Sequence, residues 1–173
     1  MPLRVEALET RHPRLGNLRR PIRVGVISDT HGLLRPEALR ALRGSDIIIH
    51  AGDIGTAEVL ERLRRVAPTF VVRGNNDRGR WAAKLPLTET VEVGNLRLYV
   101  LHELLRLDVD PIAAGVAVVV SGHSHRPSIR RRAGILYLNP GSAGPRRFTL
   151  PVSVALLGIA GQRTRPRIVT LDC

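Results

Sequence analysis

Asp29, His31, Asp53, Asn75, His102, His123 and His125 each stand at a turn directly after an apolar run. They occur in the phrases Ser28-Asp29-Thr30-His31, Gly52-Asp53, Gly74-Asn75-Asn76-Asp77, a single His102, and Gly122-His123-Ser124-His125. Neutral imidazoles, carboxylates and an amide oxygen make a mixed nitrogen and oxygen donor set. Such a set suits borderline divalent cations: manganese, iron, cobalt, nickel or zinc. An all-oxygen calcium loop or magnesium cage does not use it, and a structural zinc knuckle needs clustered thiols, whereas Cys173 is the only cysteine. Asp29 and His31, two residues apart, share one side of a short extended turn, and His123 and His125 repeat that geometry. Two such clips can grip from opposite sides.

The apolar runs that carry these turns read as buried strands: Val24 to Ile27, Ile47 to Ile49, Phe70 to Val72, Leu98 to Leu101 and Val116 to Val120. In open α/β sheets, loops at the carboxyl ends of strands converge on one crevice, so five separate turns can build one site. Between the first strands, a helix is predicted from Pro36, a favoured first-turn residue, to a stop at Gly44. A second follows Thr56 as cap, with Val59, Leu60, Leu63 and Val66 as its apolar stripe and Pro68 beyond its end. The second half is strand-rich: Val91 to Val93, Leu96 to Leu101, Ser128 to Arg132, Ile135 to Leu138, Val152 to Leu157 and Arg167 to Leu171. Gly94-Asn95 and Ala133-Gly134 are hairpin turns. The fold class is α/β, with sheets parallel where helices intervene and antiparallel where turns are tight.

In chain order the motif string resembles the calcineurin-like metallophosphoesterase superfamily, whose pattern runs D-x-H, G-D, G-N-x-D or G-N-H-D/E, H, and G-H-x-H. The resemblance spans Val24 to Gly144 and extends to Ile48-Ile49-His50-Ala51-Gly52-Asp53 and to Leu138-Asn139-Pro140-Gly141-Ser142 with Pro145-Arg146. Within the superfamily the chain is similar to the small prokaryotic phosphodiesterase branch, and to the retromer subunit of eukaryotic vesicle sorting. The resemblance implies two mixed β-sheets packed face to face and flanked by helices. It implies two divalent ions, manganese first, with nickel, iron, cobalt and zinc as alternatives. Asp29, His31 and His125 would hold one ion, Asn75, His102 and His123 the other, and Asp53 would bridge them. Asp53, Asn75 and His102 are then the catalytic candidates, and the implied activity is phosphodiester hydrolysis by a hydroxide shared between the ions.

Two departures from the family pattern stand out. Asn76 occupies the place where many superfamily enzymes carry a histidine that protonates the leaving group. At His102 the branch commonly reads His-Gly-His, and this chain reads His102-Glu103-Leu104, which would narrow the pocket beside the second ion. Asp77 is the expected orienting partner of the Asn75 amide, and His50 a buried hydrogen-bonding residue. Asn76, Arg73 and Arg146, with Arg147, are candidates for contact with substrate phosphate.

A chain of 173 residues with 43% hydrophobic content can bury one sizeable core, expected over residues 22–173. Residues 1–21 form a basic leader without hydrophobic periodicity, read either as an arm that packs or binds an anion, or as sequence upstream of a later true start. His12 within it is read as solvated. No stretch resembles a signal-peptide core, and the run from Pro111 to Val120 falls short of the roughly 20 residues that span a bilayer. A soluble, cytoplasmic protein with no membrane partner is expected, and a homo-oligomer is compatible with the sequence. The net charge of +12 admits nucleic acid as a partner. Against this, Lys84 is the only lysine, aromatic content is 3%, and the run Arg130-Arg131-Arg132 reads as a solvated edge strand. A phosphoester small molecule is the favoured partner, and the alternative reading is a protein-binding scaffold on the same fold.

Overall fold

The computed structural model describes residues 10, 11 and 20–173; the rest of the basic leader, including His12, lies outside the described residues. Two mixed sheets form the frame. One has five strands in the order β11-β10-β2-β3-β4: β2 (Ile22–Ile27), β3 (Ile47–His50), β4 (Thr69–Val71), β10 (Ser153–Ala160) and β11 (Arg163–Thr170). The other has six in the order β1-β5-β6-β7-β9-β8: β1 (Thr10–Arg11), β5 (Thr88–Val93), β6 (Leu96–Leu101), β7 (Val116–Val120), β8 (Ser128–Arg132) and β9 (Ile135–Asn139).

Pairing follows the connections. β2, β3 and β4 are parallel because helices α1 (Pro36–Leu42) and α2 (Ala57–Arg64) intervene, and β10 joins β2 antiparallel. In the second sheet β6, β7 and β9 are parallel, while the hairpins β5-β6 and β8-β9 run antiparallel through Gly94-Asn95 and Ala133-Gly134. Alternation sends one set of side chains from each sheet into a shared core. Val24, Val26, Ile47, Ile49, Ala155 and Leu157 meet Val91, Leu98, Val100, Val118, Val120, Leu136 and Leu138 there, all essentially inaccessible to solvent.

The two outer faces are covered differently. Ile27, Ile48, Val154 and Leu156 on the five-stranded sheet pack under Leu42 of α1 and Val59, Leu60 and Leu63 of α2. The outer face of the six-stranded sheet instead packs Tyr99, Leu101, Val116 and Val119 under Leu107 and Val109, from a segment with only a 3-10 turn (Leu104–Arg106). Among the described residues, the flanking helices thus lie on the five-stranded sheet.

Local differences from the sequence reading have local causes. Thr56 occupies the N-cap of α2 without a side-chain bond to the helix. The hairpin β10-β11 closes at Gly161-Gln162, and β11 starts earlier than its apolar residues suggest. It is an edge strand whose Arg163, Arg165 and Arg167 are exposed, so it lacks an apolar run, and it tolerates Pro166 because one side has no partner strand. The short helix α3 (Arg80–Ala83) was not anticipated.

The inter-sheet core should dominate stability. Leu98→Ala removes a fully buried side chain from its centre and is expected to cost about 2–5 kcal/mol in urea unfolding, whereas a loss under about 1 kcal/mol would contradict this placement.

Candidate metal centre

Five of the seven candidate ligands have left-handed backbone: Asp29 (φ 55°), His31 (φ 46°), Asp53 (φ 52°), His123 (φ 67°) and His125 (φ 58°). Outside glycine this conformation costs about 1–2 kcal/mol per residue, so neighbouring structure must impose it. Main-chain bonds do so. The Asp29 N–H donates to the Gly52 carbonyl at 3.0 Å, the His31 N–H to Asp53 O at 3.0 Å, and the Gly32 N–H to Ile54 O at 2.8 Å, stitching the loops after β2 and β3 side by side. The Ser142 hydroxyl donates to Asp29 O at 3.0 Å, which ties in the loop after β9. Gly74 and Gly122 permit the closest approaches, since a Cβ would strike Asp53 at the first position and the Ser28 hydroxyl at the second.

The side chains converge in two groups. Asp29, His31 and His125 have ligand atoms within 4.8 Å of one another, and so have Asp29, Asp53 and His102. Asp53 Oδ2 lies 3.8 Å from His31 Nε2 and 3.4 Å from His102 Nε2, so one carboxylate oxygen faces both halves. Asn75 Oδ1 is 3.0 Å from His102 Nε2. The His123 ring stands edge-on to His102 with centroids 5.1 Å apart, and the His123 main-chain N–H donates to Asp29 Oδ2 at 3.1 Å. All seven candidates therefore reach one place.

A cation fits this donor set. His102 donates from Nδ1 to the Ala51 carbonyl at 2.7 Å, which leaves Nε2 facing two oxygen acceptors, Asp53 Oδ2 and Asn75 Oδ1. Only a proton or a metal satisfies all three atoms. Asp29 Oδ1 is buried with no hydrogen-bond donor, 3.4 Å from His125 Nε2 and 4.0 Å from His31 Nε2. Desolvation raises the Asp29 pKa to about 6, against the charge of His102, because the carboxylate lacks a full set of donors. Asp53 differs: burial again favours the neutral acid, but bonds from His102 and Asn76 outweigh it and hold the group well below the usual carboxylate range. Burial pushes His31 below its ordinary value and His125 to about 4, so both imidazoles are neutral and available as ligands.

Supporting residues depart from expectation in places. Asn76 donates from its main chain to Asp53 Oδ1 at 2.8 Å and from its amide to Oδ2 at 2.7 Å, so its donors position Asp53. Asp77 does not orient the Asn75 amide: its oxygens accept the N–H groups of Gly55 at 2.9 Å and Gly74 at 2.8 Å, fastening two loops together. Arg73 lines a cleft with Asn75, His102 and Glu103. The Arg146 guanidinium donates to the Cys173 carbonyl at 2.9 Å, and Arg147 is the arginine whose charge bears on His31 and His125. Sequence reasoning missed Asn139, whose amide nitrogen donates to Gly122 O at 2.8 Å and to Ser124 Oγ at 3.1 Å. Its position in the Asn-Pro-Gly-Ser phrase was the available signal.

The sequence model for the calcineurin-like phosphoesterase superfamily domain matches residues 22–162. A probable metallophosphoesterase of Methanothermobacter thermautotrophicus is 35% identical over 158 residues, covering 84% of this chain and 91% of the relative. The phosphodiesterase YfcE of Escherichia coli is 30% identical over 154 residues, covering 75% and 84%. Among solved structures, Vps29 of Chaetomium thermophilum aligns with a TM-score of 0.71 at 22% identity, over 87% of this chain and all (100%) of that one. No helix among the described residues is long and apolar enough to cross a membrane.

His50 underlies the centre. It is fully buried, accepts the Gly52 N–H at Nδ1 (3.2 Å) and donates from Nε2 to Thr30 Oγ1 (3.0 Å), whose hydroxyl donates to Ile54 O (2.8 Å). Desolvation lowers its pKa to about 3, so the folded chain keeps it neutral while the unfolded chain protonates it below about 6.5. That contribution to stability is complete above pH 6.5 and is lost as pH falls towards 3. The raised pKa of Asp29 acts oppositely between about 4 and 6, so the comparison must be differential. Between pH 7 and 4, metal-free His50→Gln should lose less unfolding free energy than the parent, even if less stable throughout; identical slopes would contradict the buried neutral state.

Proposed function

This chain belongs to the calcineurin-like phosphoesterase superfamily, and from that premise we propose that it hydrolyses phosphodiesters with two divalent metal ions. The observation that carries the proposal is the placement of Asp53 Oδ2 between His31 Nε2 and His102 Nε2, at 3.8 and 3.4 Å. A single carboxylate oxygen in that position serves both halves of a dinuclear site. Asp29, His31 and His125 would hold one ion, Asn75, His102 and His123 the other, and Asp53 would bridge them; manganese is the first candidate, with nickel, iron, cobalt and zinc as alternatives. When bound, such cations would acidify a water and neutralise charge on the phosphoryl oxygens.

The chain's own residues set the rest. The Ala51 carbonyl fixes the His102 ring so that Nε2 faces the centre, and Asn76 fixes both oxygens of Asp53. With asparagine at position 76 no imidazole protonates the leaving group there. Water must supply that proton, which favours substrates with good leaving groups. Arg73, in the cleft shared with Asn75 and His102, is placed to pair with a phosphate oxygen, and Arg147 is a second candidate on the side of His31 and His125.

Metal-stripped protein reconstituted with each ion should hydrolyse bis(p-nitrophenyl) phosphate, and Asp53→Asn should lower kcat/KM by more than about 100-fold. Absence of turnover with every metal by correctly folded protein would sink the hydrolase reading and favour a scaffold. Metal analysis at saturation should give two ions per chain for the parent. His102→Ala should give one.

A further inference from the structure

We propose that the open cleft beside His123 binds a nucleoside arm of the substrate that carries a second phosphate. This rests on the phosphodiesterase reading and deepens it by naming a substrate class. The cleft, about 630 Å³, lies on the outer face of the six-stranded sheet, where no helix among the described residues covers β8 and β9. At one end it reaches His123, so a group bound there is continuous with a phosphate at the metal centre.

Three features define the occupant. Strand alternation places Ser128, Arg130 and Arg132 on the outer face of β8, all lining the cleft, while Arg131 turns the other way and donates to Thr164 on the opposite sheet. Arg126 adds a third guanidinium. Among the described residues none of the three has a hydrogen-bond or ion-pair partner, and Glu103, the one carboxylate in the lining, is already paired with Arg106 at 3.0 Å. An anion therefore fits. Tyr137 pairs directly across from Arg130 on β9, which sets an aromatic ring beside a guanidinium on the floor. That pairing stacks on a planar base. Leu104 and Leu105 form the opposite wall, with Leu105 wholly exposed, and would cover the far side of a base or a sugar.

Competing occupants leave part of this surface unanswered. An acyl chain would bury apolar wall but leave three guanidiniums unpaired. A polyanion without a base would leave Tyr137 and the leucines uncovered. A long single strand needs a series of stacking platforms, whereas this cleft holds one aromatic residue, which suits one base.

Binding to metal-stripped protein tests the assignment without turnover. A thymidine dinucleotide bearing a 5′-phosphate should bind at least about ten times more tightly than the same dinucleotide without it, one tenfold step in Kd. Inorganic pyrophosphate should bind more weakly than the phosphorylated dinucleotide. The exposed double variant Arg130→Glu, Arg132→Glu should abolish the preference, and Tyr137→Leu, with thermal unfolding checked, should weaken both dinucleotides. Equal binding of the two dinucleotides by the parent, an unchanged preference in the double variant, or tighter binding of a lysophospholipid diester would overturn the proposal. Turnover of chromogenic diesters without dinucleotide discrimination defeats the cleft assignment alone. Dinucleotide discrimination without turnover defeats the hydrolase reading alone.

Discussion

Asp29 and Asp53 are carboxylates almost wholly withdrawn from solvent and close enough that each charge disfavours the other. Burying one unpaired carboxylate is costly, and burying two side by side is more so. The surroundings answer this in two ways. Around Asp53 the chain supplies two donors from Asn76, and the His102 ring faces the same oxygen at 3.4 Å. Around Asp29 donors reach only one oxygen, leaving Oδ1 bare among two neutral imidazoles. A site built only for stability would have given that oxygen a donor. Its lack of one, beside Nε2 atoms that stay neutral, is the arrangement that a cation completes.

Rigid strands make this arrangement affordable. Each strained ligand lies within a few residues of a strand end, and the following turns are held by main-chain bonds between loops rather than by their own conformational preference. His50 belongs to the same system, because it joins the Thr30 turn to the Gly52 turn from below. Stability of the sheets and geometry of the centre are thus coupled through a few buried polar bonds. A mutation that loosens them moves ligands without touching one.

Much of this was legible in the sequence because both signals are periodic or positional. The β-branched runs gave β2, β3, β6 and β7, and the turn phrases carry Asp29, His31, Asp53, His102 and His125, whose ligand atoms the fold brings together in two overlapping groups. What stayed hidden depends on which face of a sheet is covered. The hairpin at Gly161-Gln162 was obscured because exposed edge strands need no apolar run. The roles of Asn139 and Asp77 were obscured because each acts on a loop distant in sequence, and hydrogen-bond direction leaves no trace in composition. Which sheet the flanking helices cover was also not legible: the segment after β6 makes only a 3-10 turn.

That missing cover changes how the basic charge is read. Reading Arg130-Arg131-Arg132 as an edge strand whose neighbouring side chains point to opposite faces agrees with the position of β8, but it does not say what either face meets. Arg131 links the sheets through Thr164, while Arg130 and Arg132 share a face with Tyr137 and border the cleft that reaches His123. Net charge alone does not distinguish a general polyanion surface from a subsite for one small anion, but strand register does. Guanidiniums at every second residue beside one aromatic ring, in a cleft that reaches His123, give a short cationic patch rather than a track. Vps29 shares this frame at 22% identity, and a frame by itself does not fix the chemistry it carries. In this chain the decision rests on the chemistry at two places on that frame, the buried group of imidazoles and carboxylates and the basic cleft beside it.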